Sequence, residues 1–228
     1  MISVLHSAWL IAAKDLRVEA RSRELVYTTL FFAVTAVLIF AFSFVQEDST
    51  VPPGAASGIL WVTLTFSGTI ALTRTFERER EHDTLRGLLL SPVERPAVYL
   101  GKLFAVLLLL AGVEAVLVPL TGLFFQAPLL RAPGLLVSLL AAGTLGFASV
   151  GTLFAAMLVR ARSRDVLLPV VLFPLVVPVI IAGVRGTNVI FTPDSELAVA
   201  RMWLAMLLSF DAVFLSLALW TSGPLLSE

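Results

Sequence analysis

Apolar residues run along this chain in long blocks, and polar residues are gathered into the short stretches between them. A helix needs about 20 mostly apolar residues to cross the hydrocarbon core of a bilayer. No water is available there to satisfy the backbone, so such blocks are expected to be helices. The pattern predicts six membrane spans, at residues 25–45, 55–73, 103–125, 134–159, 166–184 and 202–222.

The composition agrees with a protein whose solvent is lipid. The chain is 58% hydrophobic and 14% charged, whereas a soluble domain is about 45–50% apolar and about 25% charged. It contains no cysteine and two histidines, which excludes disulfides, thiolate metal sites and cysteine nucleophiles. We therefore expect an all-α polytopic membrane protein with no metal site and no catalytic residues of its own.

The distribution of basic residues predicts the orientation of the spans. Basic residues are concentrated before the first span, in the second loop and in the fourth loop, whereas the other loops contain one or none. Cytoplasmic loops carry the excess of Lys and Arg in membrane proteins. Both termini are therefore predicted to be cytoplasmic. The net charge is zero, and we expect no nucleic-acid partner.

Residues 1–24 form a predicted amphipathic elbow helix before a six-helix domain at 25–222 and a short cytoplasmic tail at 223–228. One face of this helix is apolar, with Leu5, Trp9, Ala12, Ala13 and Leu16, and most charges fall on the other, with Lys14, Asp15, Arg17, Glu19 and Arg21. Such a helix lies in the membrane interface. It is either a simple anchor or an element that transmits motion to the bundle.

The loop at residues 74–96 is the most informative polar segment. Asp83 or Thr84 can cap a short helix, and Leu85, Leu88 and Leu89 then share one side of it. Pro92 ends that helix because proline cannot continue the hydrogen-bond ladder. The leucines lie either on the bilayer surface or in a groove of a partner protein. The sequence has no phosphate-binding P-loop, so any ATPase must be a separate chain.

Three segments resemble a known family. They are residues 58–62 (Gly-Ile-Leu-Trp-Val), the loop with residues 83–92 and the following 97–102, and residues 173–178 (Phe-Pro-Leu-Val-Val-Pro). These segments are similar to those of ABC-2-type exporter permeases, and more narrowly to the haem exporter protein B family, the permease of the cytochrome c maturation ABC transporter. Arg86 stands where related permeases often have an acidic residue.

The resemblance implies a permease of a bacterial inner membrane that pairs with a second permease copy and docks a separate ABC ATPase. It implies a coupling helix within the loop at 74–96, and other cytochrome c maturation membrane subunits as partners. The transported species would be haem, or the ATPase cycle would release a haem-loaded chaperone. The residues implied in ATPase coupling are Asp83, Thr84, Leu85, Arg86, Leu88, Leu89 and Pro92.

Two carboxylates and a run of prolines lie inside the predicted spans. Glu114 and Asp211 are costly in hydrocarbon, at about 2.5–3.5 kcal/mol each, and such residues face the bundle interior. Each is either held by a structural hydrogen bond or takes part in substrate passage or gating, and a proton-relay pair is a third alternative. Pro174 and Pro178, with Pro169, predict a bent or re-entrant fifth span that is a packing kink or a hinge. Residues 185–197 are predicted to form the longest outer loop.

The candidate haem ligands lie at the wrong depth for a resident haem. Axial ligands are usually His, Met, Cys or Tyr, and both His6 and His82 fall in predicted cytoplasmic segments. Met157, Met202 and Met206 lie near the ends of spans, where packing is the simpler role. We therefore predict that the chain holds no haem stably and that haem is at most transported cargo.

Other functions remain open at this stage. An ABC-2 permease can export a drug, a lipid or a polysaccharide instead. A secondary transporter would show broken helices in both halves, whereas only the fifth span looks broken. An intramembrane enzyme would need more than two isolated carboxylates. Gly143, Gly146 and Gly151 allow close helix contacts and place the fourth span inside the bundle.

Overall fold

The computed structural model describes residues 2–44, 54–75, 94–159, 161 and 163–225. Seven α-helices make up this part of the chain, and no strand occurs within it. The helices are α1 (Ile2–Ser22), α2 (Glu24–Phe44), α3 (Ala55–Thr75), α4 (Arg95–Phe125), α5 (Pro133–Met157), α6 (Arg164–Phe191) and α7 (Leu197–Leu225), and a 3-10 turn at Leu129–Arg131 joins α4 to α5. The predicted all-α fold is confirmed.

Helices α2 to α7 are each long and apolar enough to cross a membrane, which confirms the six predicted spans. The third span begins well before its predicted start, because α4 begins at Arg95 and contains 31 residues. At 1.5 Å per residue α4 is about 46 Å long, whereas the hydrocarbon core is about 30 Å thick. The length of α4 therefore exceeds the thickness of the hydrocarbon core.

The fifth span is a continuous helix. Helix α6 includes Pro169, Pro174 and Pro178 without a break, so the re-entrant alternative is wrong. Proline holds φ near the helical value and removes one local hydrogen bond, a loss that neighbouring groups can compensate in a membrane protein. The long outer loop predicted at 185–197 is also wrong, because only residues 192–196 connect α6 to α7.

Helices α3 and α5 occupy the centre of the bundle. In each of them 67% of the most apolar stretch is buried, compared with 22% in α2 and 17% in α7. Glycines on α5 explain its position, because the side chains of Trp61 and Leu72 from α3 fill the space beside Gly143 and Gly151. The prediction that the fourth span lies inside the bundle is confirmed.

Helix α1 packs against the first turns of α4. Ala8 and Ala12 on α1 are fully buried, whereas Leu5 and Trp9 are more than half exposed. We call the end of the bundle that contains α1, Arg74 and Arg95 the inner end, and the sequence predicts that it faces the cytoplasm. Helix α1 thus has one face in the bundle and one exposed apolar face, which suits the membrane interface.

The turn between α1 and α2 is fixed by Glu19. Its Oε1 accepts hydrogen bonds from the backbone N–H groups of Leu25 (2.8 Å) and Val26 (3.1 Å). The first N–H groups of a helix have no partner within the helix, so this carboxylate caps α2. Arg23 has a left-handed φ of 56° at the turn. The sequence placed Glu19 on the polar face of α1, whereas the structure directs its carboxylate to α2.

Candidate functional site

Glu114 on α4 is held by a hydrogen bond from α5. The Thr144 hydroxyl donates to Glu114 Oε1, and the Glu114 side chain is half-buried. Threonine hydroxyls form such bonds between helices in membrane proteins because no water competes for the acceptor. The hydrogen bond that was one of the alternatives predicted for Glu114 is therefore present in the structure.

Asp211 on α7 has a different environment. It is 3% exposed, and neither carboxylate oxygen has a hydrogen-bond partner among the residues that the structure describes. Its Oδ1 lies against Gly146 of α5, 2.6 Å from the point at which a Cβ on that residue would stand. The site is bordered by the side chains of Phe210 and Val179. Asp211 is thus a buried carboxyl accommodated by the missing side chain of a glycine.

The two carboxyls lie on opposite sides of α5. Their contacts on this helix, Thr144 and Gly146, are two residues apart, which corresponds to about 200° around the axis and about 3 Å along it. Glu114 and Asp211 are therefore at nearly the same level of the bundle with α5 between them. This arrangement excludes a direct carboxyl–carboxyl contact of the kind that a proton-sharing pair requires.

Trp61 fills a slot between α5 and α6 at the same level. Its indole ring occupies the space next to Gly143 and Gly183, and its Nε1 donates to the Thr187 hydroxyl at 2.9 Å. The ring is 2% exposed. In the sequence Trp61 stands out only as part of a motif. The signal for its packing is the pair of glycines on two other helices, which leave room for the indole ring.

A cavity of about 10 Å³ adjoins the Trp61 slot, about the space that one water molecule needs. It is lined by Thr65 and Thr144 together with apolar side chains. Thr144, whose hydroxyl bonds Glu114, is therefore also a lining residue of this cavity.

The predicted gating prolines lie towards the surface of α6. Pro174 is exposed and Pro178 is half-buried. Pro174 belongs to an outward stripe with Val170, Val177 and Ile181. Pro178 precedes Val179, which borders the Asp211 site. Of the two, Pro178 is therefore the one whose neighbour in the sequence borders the buried carboxyl.

The residues predicted to couple to an ATPase lie outside the described residues. Helix α3 ends at Thr75 and α4 begins at Arg95, so the two ends of that segment emerge at the inner end. His82 also lies outside the described part. The other histidine, His6, is exposed on α1.

The inner end contains a buried ion pair that the sequence did not predict. Lys102 Nζ of α4 is 2.7 Å from Asp15 Oδ2 of α1, and the lysine side chain is 3% exposed. Lys14 lies 2.9 Å from the other oxygen of Asp15. The sequence placed Asp15 on the polar face of α1 and gave Lys102 no role. The close approach of Gly101 to Ala8 explains why the two helices meet there.

At the other end of the bundle, which we call the outer end, Arg131 binds the connection between α6 and α7. Its guanidinium donates to the backbone carbonyls of Val189 (2.9 Å), Ile190 (3.3 Å) and Ser195 (2.7 Å), and also to that of Thr192. The carbonyls of Val189 and Ile190 lie at the end of α6, where a helix leaves acceptors without partners, and those of Thr192 and Ser195 lie in the connection that follows. Arg131 therefore fastens the short connection to α7.

Comparisons with a family profile and with individual proteins point to the same family. The sequence profile of the family described as CcmB protein matches residues 6–226. A protein named Heme exporter protein B from Pseudomonas aeruginosa PAO1 is 30% identical over 164 residues, which are 72% of each chain. The Heme exporter protein B of Paracoccus denitrificans Pd 1222 is 30% identical over 77% of this chain and 79% of its own. The Heme exporter protein B of Escherichia coli K12 is 32% identical over 97 residues, so the chain matches 44% of its length.

Proposed function

The chain belongs to the CcmB protein family, and from this membership we propose that it is the permease subunit of an ABC transporter for cytochrome c biogenesis. ATP hydrolysis takes place in a separate ATPase, and the permease couples it to haem export or to release of a haem-loaded chaperone. We place the chain in a bacterial inner membrane, with both termini in the cytoplasm. A second permease copy and other maturation subunits complete the assembly.

The observation on which this proposal rests is the family match over residues 6–226, which includes the six spans and the loop at 74–96. The fold supports it because six helices suited to a membrane are present. The loop joins α3 and α4 at the inner end, where an ATPase in the cytoplasm would meet it. We propose that the segment from Asp83 to Pro92 contains the coupling helix.

We further propose that Asp211 and Pro178 belong to the region that changes during transport. A buried carboxyl without a partner in the described bundle is the feature that a membrane protein retains only at a cost. Glu114, bonded to Thr144, fits a structural role better. Pro174, at the surface of α6, would instead contact lipid or the second copy.

Co-purification with the ATPase tests the proposal. The chain is expressed with candidate ABC ATPases, and the partner is the one that remains bound in detergent and whose ATP hydrolysis the permease stimulates. In a groove-bound coupling helix, Leu85→Asp or Leu89→Asp should abolish co-purification. Leu130→Asp introduces the same charge at an outer-end position that is 88% exposed and should leave the complex intact.

The cellular readout is cytochrome c assembly in a strain that depends on this chain. Assembly that falls in Leu85→Asp and is normal in Leu130→Asp supports the proposed role. Normal assembly after deletion of the gene would indicate an exporter of another substrate. Transport by the chain without any ATPase would indicate a secondary transporter instead.

A further inference from the structure

Lys102 is the most deeply buried basic side chain in the described bundle, at 3% exposure. A buried cation is retained in a protein when a carboxylate neutralises it, and breaking such a pair is more damaging than never having it. Asp15 supplies this carboxylate from α1 at 2.7 Å. The two residues are 87 positions apart in the chain, so the pair joins two separate helices.

The backbones of α1 and α4 also meet closely beside this pair. A Cβ on Gly101 would stand 2.8 Å from the backbone oxygen of Ala8 and from the side chain of Ile11. Only glycine allows such an approach, because any side chain would push the helices apart. The glycine contact and the ion pair involve adjacent residues of α4, and both hold α1 against it.

The same turns of α4 are also tied to the centre of the bundle. The Tyr99 hydroxyl donates to the backbone oxygen of Ser149 on α5 at 3.0 Å, and the tyrosine is buried. Ser149 lies one turn from Gly146, which accommodates Asp211. The first turns of α4 are thus fastened both to α1 and to α5.

These contacts lie next to the proposed coupling segment. Helix α4 begins at Arg95, and Lys102 is seven residues further on, about 10 Å along the helix. Tyr99 and Lys102 both lie within two turns of Arg95. Residues 95–102 are helical without interruption.

We propose that Asp15 and Lys102 are positioning residues that make α1 and the first turns of α4 one rigid unit. Movement of the segment at 74–96 then moves α1 at the membrane surface, and Tyr99 passes the same displacement to α5. This part of the proposal rests on the proposed function, since it requires an ATPase to move the segment. The docking of α1 by the ion pair does not depend on it.

The docking is tested on the chain alone in lipid nanodiscs. The sequence contains no cysteine, so Leu10→Cys on α1 and Leu108→Cys on α4, both about half exposed, can carry spin labels. We expect one narrow distribution of label distances, which becomes broad or bimodal in Asp15→Asn and in Lys102→Gln. The reciprocal exchange Asp15→Lys with Lys102→Asp should narrow it again. An unchanged distribution in both single variants would overturn the proposal.

The coupling is tested on the complex with its ATPase. The label distance should stay the same with and without ATP, since the two helices move together, and a change on ATP binding would contradict the rigid unit. We expect Asp15→Asn to keep ATP hydrolysis while lowering cytochrome c assembly at least fivefold. Lys14→Gln removes only the more exposed partner of Asp15 and should retain assembly. Equal losses of hydrolysis and assembly in Asp15→Asn would indicate a structural role only.

Tyr99 provides a second variant for the same unit. Tyr99→Phe removes the bond to Ser149 and keeps the ring, and it should lower the assembly obtained per ATP hydrolysed. Tyr27→Phe is the matched control, because Tyr27 is 61% exposed on α2. If no ATPase binds the chain, the proposed function fails, whereas the nanodisc distances still decide whether the ion pair docks α1. Equal assembly per ATP in the two tyrosine variants would exclude α5 from the unit.

Discussion

Asp211 and Gly146 fit together through a missing side chain, because a carboxylate oxygen of Asp211 lies 2.6 Å from the point where Gly146 would carry a Cβ. Alanine at this position would force the carboxyl out of its site. Overpacking of this kind costs about 1–3 kcal/mol. We expect Gly146→Ala to lower the thermal unfolding temperature of the purified chain.

Gly112 is the matched control for this change. A Cβ there would meet nothing within 4 Å, and alanine is the better helix former by about 1 kcal/mol. We expect Gly112→Ala to leave the unfolding temperature unchanged or to raise it. Equal losses in both variants would mean that glycine is needed on these helices for reasons other than Asp211.

The Thr144 hydroxyl is expected to stabilise the chain through Glu114. Thr144→Val removes the only donor that the structure assigns to this carboxyl, and an interhelical hydrogen bond contributes about 0.6–2 kcal/mol in a membrane. Thr121→Val is the control, because that buried hydroxyl bonds only the carbonyl of Leu117 on its own helix. Denaturation in mixed detergent should show a loss for Thr144→Val alone. A double variant with Glu114→Gln should show less than the sum of the two losses.

The Trp61 indole is expected to be the main clamp between α3 and α6. Trp61→Phe removes the Nε1 bond to Thr187 and leaves part of the slot empty, which should cost about 1–3 kcal/mol. Trp220→Phe changes the same residue type at a position that is 80% exposed and should change the stability by less than about 0.5 kcal/mol. Thermal unfolding in detergent measures both. A larger loss at Trp220 would contradict the assigned slot.

The turn between α1 and α2 should depend on Glu19 and tolerate glycine at residue 23. Glu19→Ala removes the cap of α2 and should cost about 1 kcal/mol. Arg23 has a left-handed backbone, so Arg23→Gly relieves strain and should not lower the stability. Arg17→Gly, in the interior of α1, should cost about 1 kcal/mol. Circular dichroism during heating compares the three variants.

The purified chain is expected to contain no stoichiometric haem. His6 is exposed on α1, and no described residue places a histidine at membrane depth. The absorption spectrum of the chain after incubation with haem and gel filtration should lack a stoichiometric His-ligated Soret band. A band that is lost in His82→Ala would contradict this prediction.

The spans could be predicted because an uninterrupted apolar length is local information. The start of α4 could not, because Lys102 looks like a solvated residue until Asp15 of α1 neutralises it. The contact between the two helices, which buries that charge, is not visible in the local pattern. The same limit applies to α1, since a periodic pattern separates charged from apolar residues without showing that Asp15 and Glu19 face other helices.

The end of α6 was mispredicted for a similar reason. Residues such as Arg185, Gly186 and Asn188 suggest a loop, yet they are helical. Thr187 is bonded to Trp61, and the carbonyls at the helix end are bonded by Arg131. Both partners are more than 50 residues away along the chain. Tertiary contacts therefore override the local preference.

The glycines of α5 have a consequence for how this protein can vary. Gly143, Gly146 and Gly151 receive side chains from α3 and α7, so one exchange on α5 is opposed by a neighbour on another element. A larger residue at one of these glycines should therefore be tolerated only together with a smaller residue at the facing position. Mutational scans should find α5 the least permissive of the six spans, and second-site suppressors should arise on the helix that faces the altered glycine.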